Sequence, residues 1–355
     1  MEKLFVRALN PDDRVELEKL VGLFTTLTGS TYPIRTVYDS QFWAAHIGVR
    51  FCSVGVFHEG SLIGHFAICP DSRMRSNVRI AFPLFDMRYI DLQEMIRKEV
   101  AVLIDRLCRR NRWSTTYYFI FDSGRADQKF ILQMLGGSET ALCPHYFLES
   151  AKSQSIVGAD KAGTDSRRIS VYVVENPACR NTLPSHTVYV PKHHKDICSY
   201  LYEPFGLNRE FRRKPDSKVQ IFLGAEERGV DIKRYKETGV THICVSPSLI
   251  HDRNKALNQI ASLGDEPVFL FVNMFDPGCP SFVERMEDVG FVFCGILPLL
   301  MGRDSIVMWK KNQELSLKYV PSERGKALAE YVISCSEKVP YPSHNRESRE
   351  ALVLL

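Results

Sequence analysis

Residues 80–100, IAFPLFDMRYIDLQEMIRKEV, decide the fold because an apolar run there is joined directly to an amphipathic helical pattern. The run NVRIAFPLF (77–85) is typical of a buried strand, and the apolar residues that follow the connection recur at the spacing of one helix face. The connection DMRYI (86–90) contains no glycine. Asp91, followed three residues later by Glu94, predicts an N-cap with its capping-box partner at the start of the helix.

Strands and helices alternate on both sides of this stretch in the first half of the chain. A hairpin precedes it, because two β-rich runs meet at a turn in which Gly60 can adopt a positive φ. The other predicted elements are helices at 12–28, 39–49 and 126–137 and strands at 115–122 and 140–149.

The second half repeats this order of elements. It contains predicted strands at 168–176, 187–191, 241–247, 267–275, 291–298 and 304–311, helices at 194–207, 252–263 and 279–291, and a hairpin at 217–236. A polar segment rich in Ser, Ala and Gly divides the halves. We therefore predict a first domain at 1–150, a linker at 151–168, a second domain at 169–318, and a C-terminal helix with a loose polar end at 319–355.

Composition limits the classes of partner. The net charge of +4 is small and evenly spread, so we expect no DNA and no membrane among the partners. Because the chain lacks a long apolar run and a secretory signal, we expect a cytoplasmic protein. The ten cysteines stand singly and predict buried reduced thiols. We expect no metal, since adjacent side chains such as those of His193 and His194 at a helix start point apart.

Three segments resemble the GNAT superfamily of acyl-CoA N-acyltransferases, arranged as a tandem pair. HEGSLIGHFAI (58–68) is similar to its glycine-containing hairpin, and DSGRADQKFILQMLGGSETAL (122–142) and VFLFVNMFDPGCPSFVERMEDVGFVFCGILP (268–298) are similar to the region that closes its donor site. The resemblance implies an α+β fold of two domains, each with a central mixed, mainly antiparallel sheet flanked by helices. It also implies two parallel strands that splay apart, IAFPLF and TTYYFIFD, with the pantetheine arm of the donor between them.

The junction after the first splayed strand departs from the family pattern. In GNAT proteins a glycine-containing loop there presents backbone N–H groups to the CoA pyrophosphate, and the second half also lacks a glycine at the equivalent place, VSPSLIHDRNKAL (245–257). Pro83 is suited to a strand that leaves its neighbour, or it simply ends the strand. The resemblance places the donor against Phe82, Leu84, Arg88, Tyr89 and Gln128.

The set of candidate catalytic residues is incomplete, because the helix at 126–137 has no Tyr to protonate the leaving thiolate. The resemblance favours Asp122, Ser123, Tyr146 and Asn273 as catalytic groups, each of which equally suits a structural role. For the acceptor it favours Tyr32, Tyr38, Asp39 and Trp43, which packing of a surface loop would explain as well.

The predicted function is transfer of an acyl or aminoacyl group to an amine of a small molecule or peptide. The implied cofactor is acyl-CoA or a phosphopantetheine-borne acyl group, and an acyl carrier protein is the implied protein partner. The alternatives are a GNAT-fold protein that binds a ligand or assembles without turnover, and a transferase that uses aminoacyl-tRNA, which the small net charge does not favour.

Overall fold

The computed structural model describes residues 4–29, 32, 34–70, 77–122, 127–148, 168–177, 186–207, 209–213, 229–235, 239–250, 252, 256, 260, 263, 266–299, 302–315, 317, 320 and 322–339. Contacts divide the chain into two compact units. The first comprises Met1–Ser138, Phe147–Ile169 and Val174–Cys179, and the second comprises Glu139–Tyr146, Ser170–Val173 and Arg180–Leu355. Two strands, β6 (Ser138–Leu148) and β7 (Arg168–Pro177), therefore contribute residues to both units.

In its described residues, the first unit contains five further strands and four helices. The strands are β1 (Leu4–Ala8), β2 (Cys52–His58), β3 (Ser61–Pro70), β4 (Asn77–Phe85) and β5 (Thr115–Phe121). The helices are α1 (Arg14–Thr28), α2 (Ser40–His46), α3 (Gln93–Asn111) and α4 (Asp127–Leu135). All except β1 lie where the sequence pattern predicts them.

The sheet of the first unit is antiparallel from β1 to β4, and β5 is added parallel to β4. The end of β7 lies beside β5, where the Thr116 hydroxyl donates to the carbonyl of Asn176 (3.0 Å). The β2–β3 turn has positive φ at both Glu59 (49°) and Gly60 (79°), the conformation of a type I′ hairpin. A hydrophobic cluster of α1, α2 and the strands is centred on Phe24 and Trp43, both fully buried.

The junction 86–92 folds as a 3₁₀ helix, Met87–Leu92, that runs directly into α3. The prediction of Asp91 as the N-cap is wrong, because Asp91 lies inside this 3₁₀ helix. Asp86 caps the 3₁₀ helix by accepting from the backbone N–H of Arg88, and Leu92 precedes α3 without a side-chain cap. The tight turn moves the capping carboxylate five positions towards the N-terminus.

The second unit has seven further strands and three helices within the described ranges. Strands β8 (His186–Tyr189) and β9 (Arg209–Arg212) form a small parallel pair. The main sheet consists of β10 (Val230–Tyr235), β11 (Val240–Val245), β12 (Val268–Asn273), β13 (Phe291–Leu297) and β14 (Ser305–Lys310) together with parts of β6 and β7. The helices are α5 (Lys195–Tyr202), α6 (Cys279–Asp288) and α7 (Glu323–Lys338).

Strand β13 depends on a glycine where it meets β6. Gly295 has φ +125°, and a Cβ there would lie 2.3 Å from the carbonyl oxygen of Thr140 and 2.6 Å from Cα of Ala141. No other residue type fits that approach without moving the backbone of β6. Glycine at position 295 therefore allows β13 to pair with β6 at Ala141.

The predicted fold class, mixed and mainly antiparallel sheets flanked by helices, is confirmed in both units. Four predicted segments lie mostly or wholly outside the described residues: the linker at 151–168, the first strand of the hairpin at 217–236, the helix at 252–263 and the polar C-terminal end. The second strand of that hairpin is β10. The domain boundaries stay a prediction. The nine described cysteines are free, and seven of them are buried. None of the helices in the described ranges combines the length and the apolar character of a membrane span.

Candidate functional site

Strands β4 and β5 separate after a short paired segment. Within the described residues their pairing covers three positions, from Asn77 with Thr115 to Arg79 with Tyr117. The remaining residues, Ile80–Phe85 of β4 and Tyr118–Phe121 of β5, form no rungs with each other. Facing strand segments that are not paired offer main-chain donors and acceptors to an extended ligand. We call this gap the donor groove.

A β-bulge in β4 lies inside this segment. Phe82 has φ +52°, and the register of β3 with β4 shifts between His65 and Ala67. Pro83 follows and has no N–H, so the bend is made where the strand needs no ladder donor. The Phe82 ring packs against Trp43, with ring centroids 5.4 Å apart. The bulge is therefore held by the core of the first unit and turns β4 away from regular pairing.

His65 on β3 fixes the bulge through a hydrogen bond. Its Nδ1 lies 3.1 Å from the carbonyl oxygen of Phe82, and its Nε2 lies 2.7 Å from the hydroxyl of Ser53. A carbonyl only accepts, so Nδ1 carries the proton and Nε2 accepts from Ser53. Both ring nitrogens are engaged, which makes His65 a positioning residue and not a base.

Burial keeps this histidine neutral. The side chain is fully buried next to Trp43, and desolvation lowers the pKa of His65 from 6.5 to about 3, against the opposing effect of its hydrogen bond to Phe82. The imidazole is therefore uncharged at neutral pH. The tautomer that holds the bulge is the neutral one.

A pocket of about 370 Å³ opens beside the C-terminal end of β4. Helix α1, the β2–β3 turn and the junction 86–92 line it, and its charged groups are Lys19, Asp86 and Arg88. Tyr89 also lines it, with its ring 5.6 Å from that of His58. The pocket thus combines two cations, Lys19 and Arg88, with one carboxylate, that of Asp86, which directly follows β4.

Asp86 is the buried carboxylate of the junction, and it binds both the backbone and the side chain of Arg88. It is 4% exposed and accepts from the backbone N–H of Arg88 (3.0 Å) and from the guanidinium of the same residue (2.5 Å). Burial opposes ionisation, but the hydrogen bonds and the charge of Arg88 prevail and hold the pKa of Asp86 below its usual value. Arg88, which is predicted to contact the donor, is therefore already paired with Asp86.

The equivalent place in the second unit is closed. Strands β11 and β12 are parallel and pair over five consecutive positions, from Thr241 with Val268 to Val245 with Val272. After β11, the carboxylate of Asp276 accepts from the backbone N–H of Ser248 (2.8 Å) and from its hydroxyl. In the described residues of this unit, the parallel pair thus leaves no groove comparable to that between β4 and β5.

The predicted catalytic residues lie in different surroundings. Asp122 is buried at the end of β5, and Ser123 lies outside the described residues. The Tyr146 hydroxyl is 3.0 Å from Nε2 of His242, and the side chain of Asn273 accepts from the backbone N–H of Phe275 (3.0 Å). Of the three described residues, Asp122 belongs to the first unit, whereas Tyr146 and Asn273 belong to the second. Their catalytic roles stay predictions.

The predicted donor contacts lie along β4 and its junction. Phe82 is at the bulge, Leu84 is buried, and Arg88 and Tyr89 line the pocket. Gln128 is buried on α4 and its side-chain oxygen accepts from the backbone N–H of Phe121 (3.2 Å), so it holds the end of β5.

The residues predicted to bind the acceptor are engaged in local structure. Trp43 is fully buried and donates from its ring nitrogen to the carbonyl of Val37 (2.9 Å). Asp39 caps α2 by accepting from Gln41, and the Tyr38 hydroxyl accepts from the backbone N–H of Tyr32 (3.0 Å). These contacts give each residue a structural role, and acceptor binding by them stays a prediction.

Sequence reasoning missed several residues of these sites. The prediction that His193 and His194 point apart is wrong. They lie on the 3₁₀ turn Lys192–His194 before α5, their ring centroids are 4.1 Å apart, and both face Glu287 of α6. His65, Ser53 and Lys19 were also missed, because each is brought to its site by residues distant in sequence. The only sequence signal for His65 is a titratable residue inside an apolar strand.

No family model and no curated protein matches the chain. Three of the solved structures similar to it are the Salmonella typhimurium protein yncA with its cofactor acetyl-CoA, the ribosomal-protein-S5-alanine acetyltransferase from Vibrio fischeri, and the aminoglycoside 6′-N-acetyltransferase from Enterococcus faecium. Their identities are 15, 13 and 9% and their TM-scores 0.36, 0.39 and 0.36. They cover 51, 52 and 51% of this chain and 97, 97 and 98% of their own.

All three matched structures are described as acetyltransferases, one of them as a putative one with its cofactor acetyl-CoA. At such identities and TM-scores they say nothing about the donor or the acceptor of this protein.

Proposed function

We propose that the protein is an N-acyltransferase whose thioester donor lies in the donor groove of the first unit. The observation that carries this proposal is the separation of β4 from β5 after Arg79 and Tyr117. A pantetheine arm contains two amides, and unpaired strand edges offer them main-chain partners on both sides. The bulge at Phe82, fixed by His65, keeps the groove from closing into a regular parallel pair.

The phosphate end of the donor is proposed to lie at the pocket beside the junction. Lys19 and Arg88 supply positive charge there, while Asp86 supplies a buried negative charge. A pyrophosphate would meet that carboxylate at close range, whereas a single phosphodiester carries less charge to oppose it. We therefore propose an acyl carrier protein, with its phosphopantetheine arm, as the preferred donor and free acyl-CoA as the weaker one.

The transfer step follows from thioester chemistry. The amine nitrogen attacks the carbonyl carbon, a C–N bond forms, and the C–S bond breaks with release of the thiolate, which takes a proton. The attacking amine must lose a proton, and we propose Asp122 as the base because it is the buried carboxylate at the end of β5. Acceptors in this proposal are amines of small molecules or peptides.

The test is a transfer assay with the full chain. Acetyl-CoA, longer acyl-CoAs and an acylated holo-carrier protein are offered with a panel of amines, and the amide product is detected by mass. We expect product, with Asp122→Asn lowering kcat at least about 100-fold. Asp105→Asn, which alters a half-exposed aspartate on α3 paired with Arg109, is the matched control and should leave the rate unchanged.

A ligand-binding protein without turnover is the second candidate. It is favoured by the engagement of the Tyr146 hydroxyl and the Asn273 side chain in local hydrogen bonds. A donor that raises the melting temperature saturably, but transfers its acyl group to no amine, would support this candidate over the enzyme. If no donor shifts the melting temperature and no product forms, the assignment of the groove to a thioester donor is wrong.

A further inference from the structure

Three side chains of the second unit converge at its surface, although they are far apart in sequence. His193 and His194 come from the 3₁₀ turn before α5, and Glu287 comes from α6. Nε2 of His193 lies 3.0 Å from one carboxylate oxygen of Glu287, and Nε2 of His194 lies 2.7 Å from the other. The three ligand atoms lie within 4.8 Å of one another. We call this group the His-His-Glu cluster.

The hydrogen bonds of Tyr331 on α7 indicate that Nδ1 of His194 carries a proton. The Tyr331 hydroxyl lies 2.8 Å from the carbonyl oxygen of His193, which only accepts, so the single hydroxyl proton points there. The same hydroxyl oxygen lies 2.9 Å from Nδ1 of His194 and must therefore accept from it. In a neutral imidazole the proton on Nδ1 leaves Nε2 with a lone pair directed at Glu287.

A positive charge is required where Nε2 of His194 meets Glu287. The two atoms are 2.7 Å apart, and this distance suits either a second ring proton, donated by an imidazolium to the carboxylate, or a cation that both atoms bind from one side. The His194 side chain is fully buried and stacks on Phe293, with centroids 4.2 Å apart, so it cannot turn its lone pair to bulk water. His193, by contrast, is half exposed.

We propose that the His-His-Glu cluster binds one divalent transition-metal ion, with Zn²⁺ as the best-fitting species. Two imidazoles and one carboxylate are the ligand set of an open zinc site, and the exposed side of His193 leaves the fourth position to water. The hydrogen bond from Nδ1 of His194 to Tyr331 orients the ring and raises its basicity, as outer-shell partners of metal ligands do. The site belongs to the second unit and is independent of the proposed acyl transfer.

The test is metal binding by the full chain after treatment with a chelator. Calorimetry with Zn²⁺ should show one ion per chain, and Co²⁺ should give the intense visible bands of a tetrahedral N/O site. Binding of Zn²⁺ should also raise the melting temperature. The order of affinity among first-row ions should place Zn²⁺ above Mn²⁺.

Variants separate metal binding from a simple histidine–carboxylate hydrogen bond. His193→Ala, which removes a half-exposed ring, and Glu287→Gln should each weaken Zn²⁺ binding at least about 100-fold, and Tyr331→Phe about 10-fold. His186→Ala changes a histidine of the same unit outside the cluster and should leave the affinity unchanged. The proposal is overturned if the wild-type chain binds no Zn²⁺ at one equivalent, or if His193→Ala binds it as well as the wild type. An imidazolium–carboxylate pair without metal would then explain the distances.

Discussion

At the scale of single residues, the donor groove depends on a histidine that carries no charge. His65 donates to the bulge carbonyl from Nδ1 and accepts from Ser53 at Nε2. A protonated ring could not accept from Ser53, and its charge would be buried against Trp43. The neutral tautomer is therefore part of the geometry that keeps β4 bent.

The pKa of His65 makes the stability of the first unit dependent on pH. Its folded value of about 3 lies below the ordinary 6.5, so between these values the unfolded chain binds more protons. The contribution is fully present above pH 6.5 and is lost as the pH falls towards 3. From pH 7.5 to 5 we expect the free energy of unfolding to fall by about 2 kcal/mol through this residue.

His65→Gln isolates that effect, because a glutamine amide can donate to Phe82 and accept from Ser53 but does not titrate. Urea unfolding followed by tryptophan fluorescence at both pH values gives the free energies. The variant should lose less stability than the wild type over this range, by about 2 kcal/mol. Equal losses in the two proteins would show that His65 is not held neutral.

Asp86, and not Asp91, is the buried carboxylate of the junction, and in the proposed donor site it is the group that would oppose a phosphate. Asp86→Asn keeps an oxygen to cap the 3₁₀ helix but removes the buried charge, so we expect acetyl-CoA to bind about fivefold more tightly. Asp91→Asn is the matched control, since Asp91 lies within the 3₁₀ helix and should leave the affinity unchanged. Calorimetry measures both. If only Asp91→Asn bound acetyl-CoA more tightly, Asp91 and not Asp86 would be the carboxylate that opposes the phosphate.

At the scale of elements, glycine has opposite effects on stability in the β2–β3 hairpin and in α1. It stabilises the turn of the hairpin and destabilises the interior of the helix. Gly60 has φ +79° at an open turn, and Gly22 lies in the interior of α1, with no heavy atom within 4 Å of a Cβ built at either position. An alanine side chain at either position would therefore make no steric clash. Only the backbone preference of the added side chain decides the outcome at each site.

We expect Gly60→Ala to lower the free energy of unfolding by about 1 kcal/mol, because alanine resists a positive φ. Gly22→Ala should raise it by about 0.5–1 kcal/mol, because glycine weakens a helix interior. Chemical denaturation of the two variants beside the wild type measures both. The pair serves as its own control, and changes of the same sign would contradict this account.

At the scale of the whole molecule, the two units share an order of elements but differ at their parallel strand pairs. In the first unit β4 and β5 pair over three positions and then separate, whereas β11 and β12 of the second unit pair over five. The repeated order thus does not imply two equivalent sites. The first unit contains the unpaired segments of β4 and β5, and the second unit contains the His-His-Glu cluster.

Hydrogen exchange on the full chain tests this division. A saturating thioester donor should slow exchange of the backbone amides in Ile80–Phe85 and Tyr118–Phe121, because an extended ligand would occupy those strand edges. Amides of β11 and β12 are already paired with each other and should exchange at the same rate with and without donor. Protection of β11 and β12 instead would place the donor in the second unit.

Apolar spacing along the chain predicts the type and the approximate limits of most elements. Strand β4 was predicted at its observed bounds, and α1, α3 and α7 were found because apolar spacing along a short segment directly reports which face is buried. The edge strand β1 was missed, because its five residues carry too short a pattern.

The composition of the sites, in contrast, follows from contacts between residues that are distant in sequence. The local pattern Asp91–Glu94 favoured a helix cap, but the 3₁₀ turn gave that role to Asp86. His193 and Glu287 are 94 residues apart, and His65 and Phe82 are 17 apart, so no local period relates them. Periodicity records which side of an element is buried, whereas a site is made by side chains that packing brings together from separate elements.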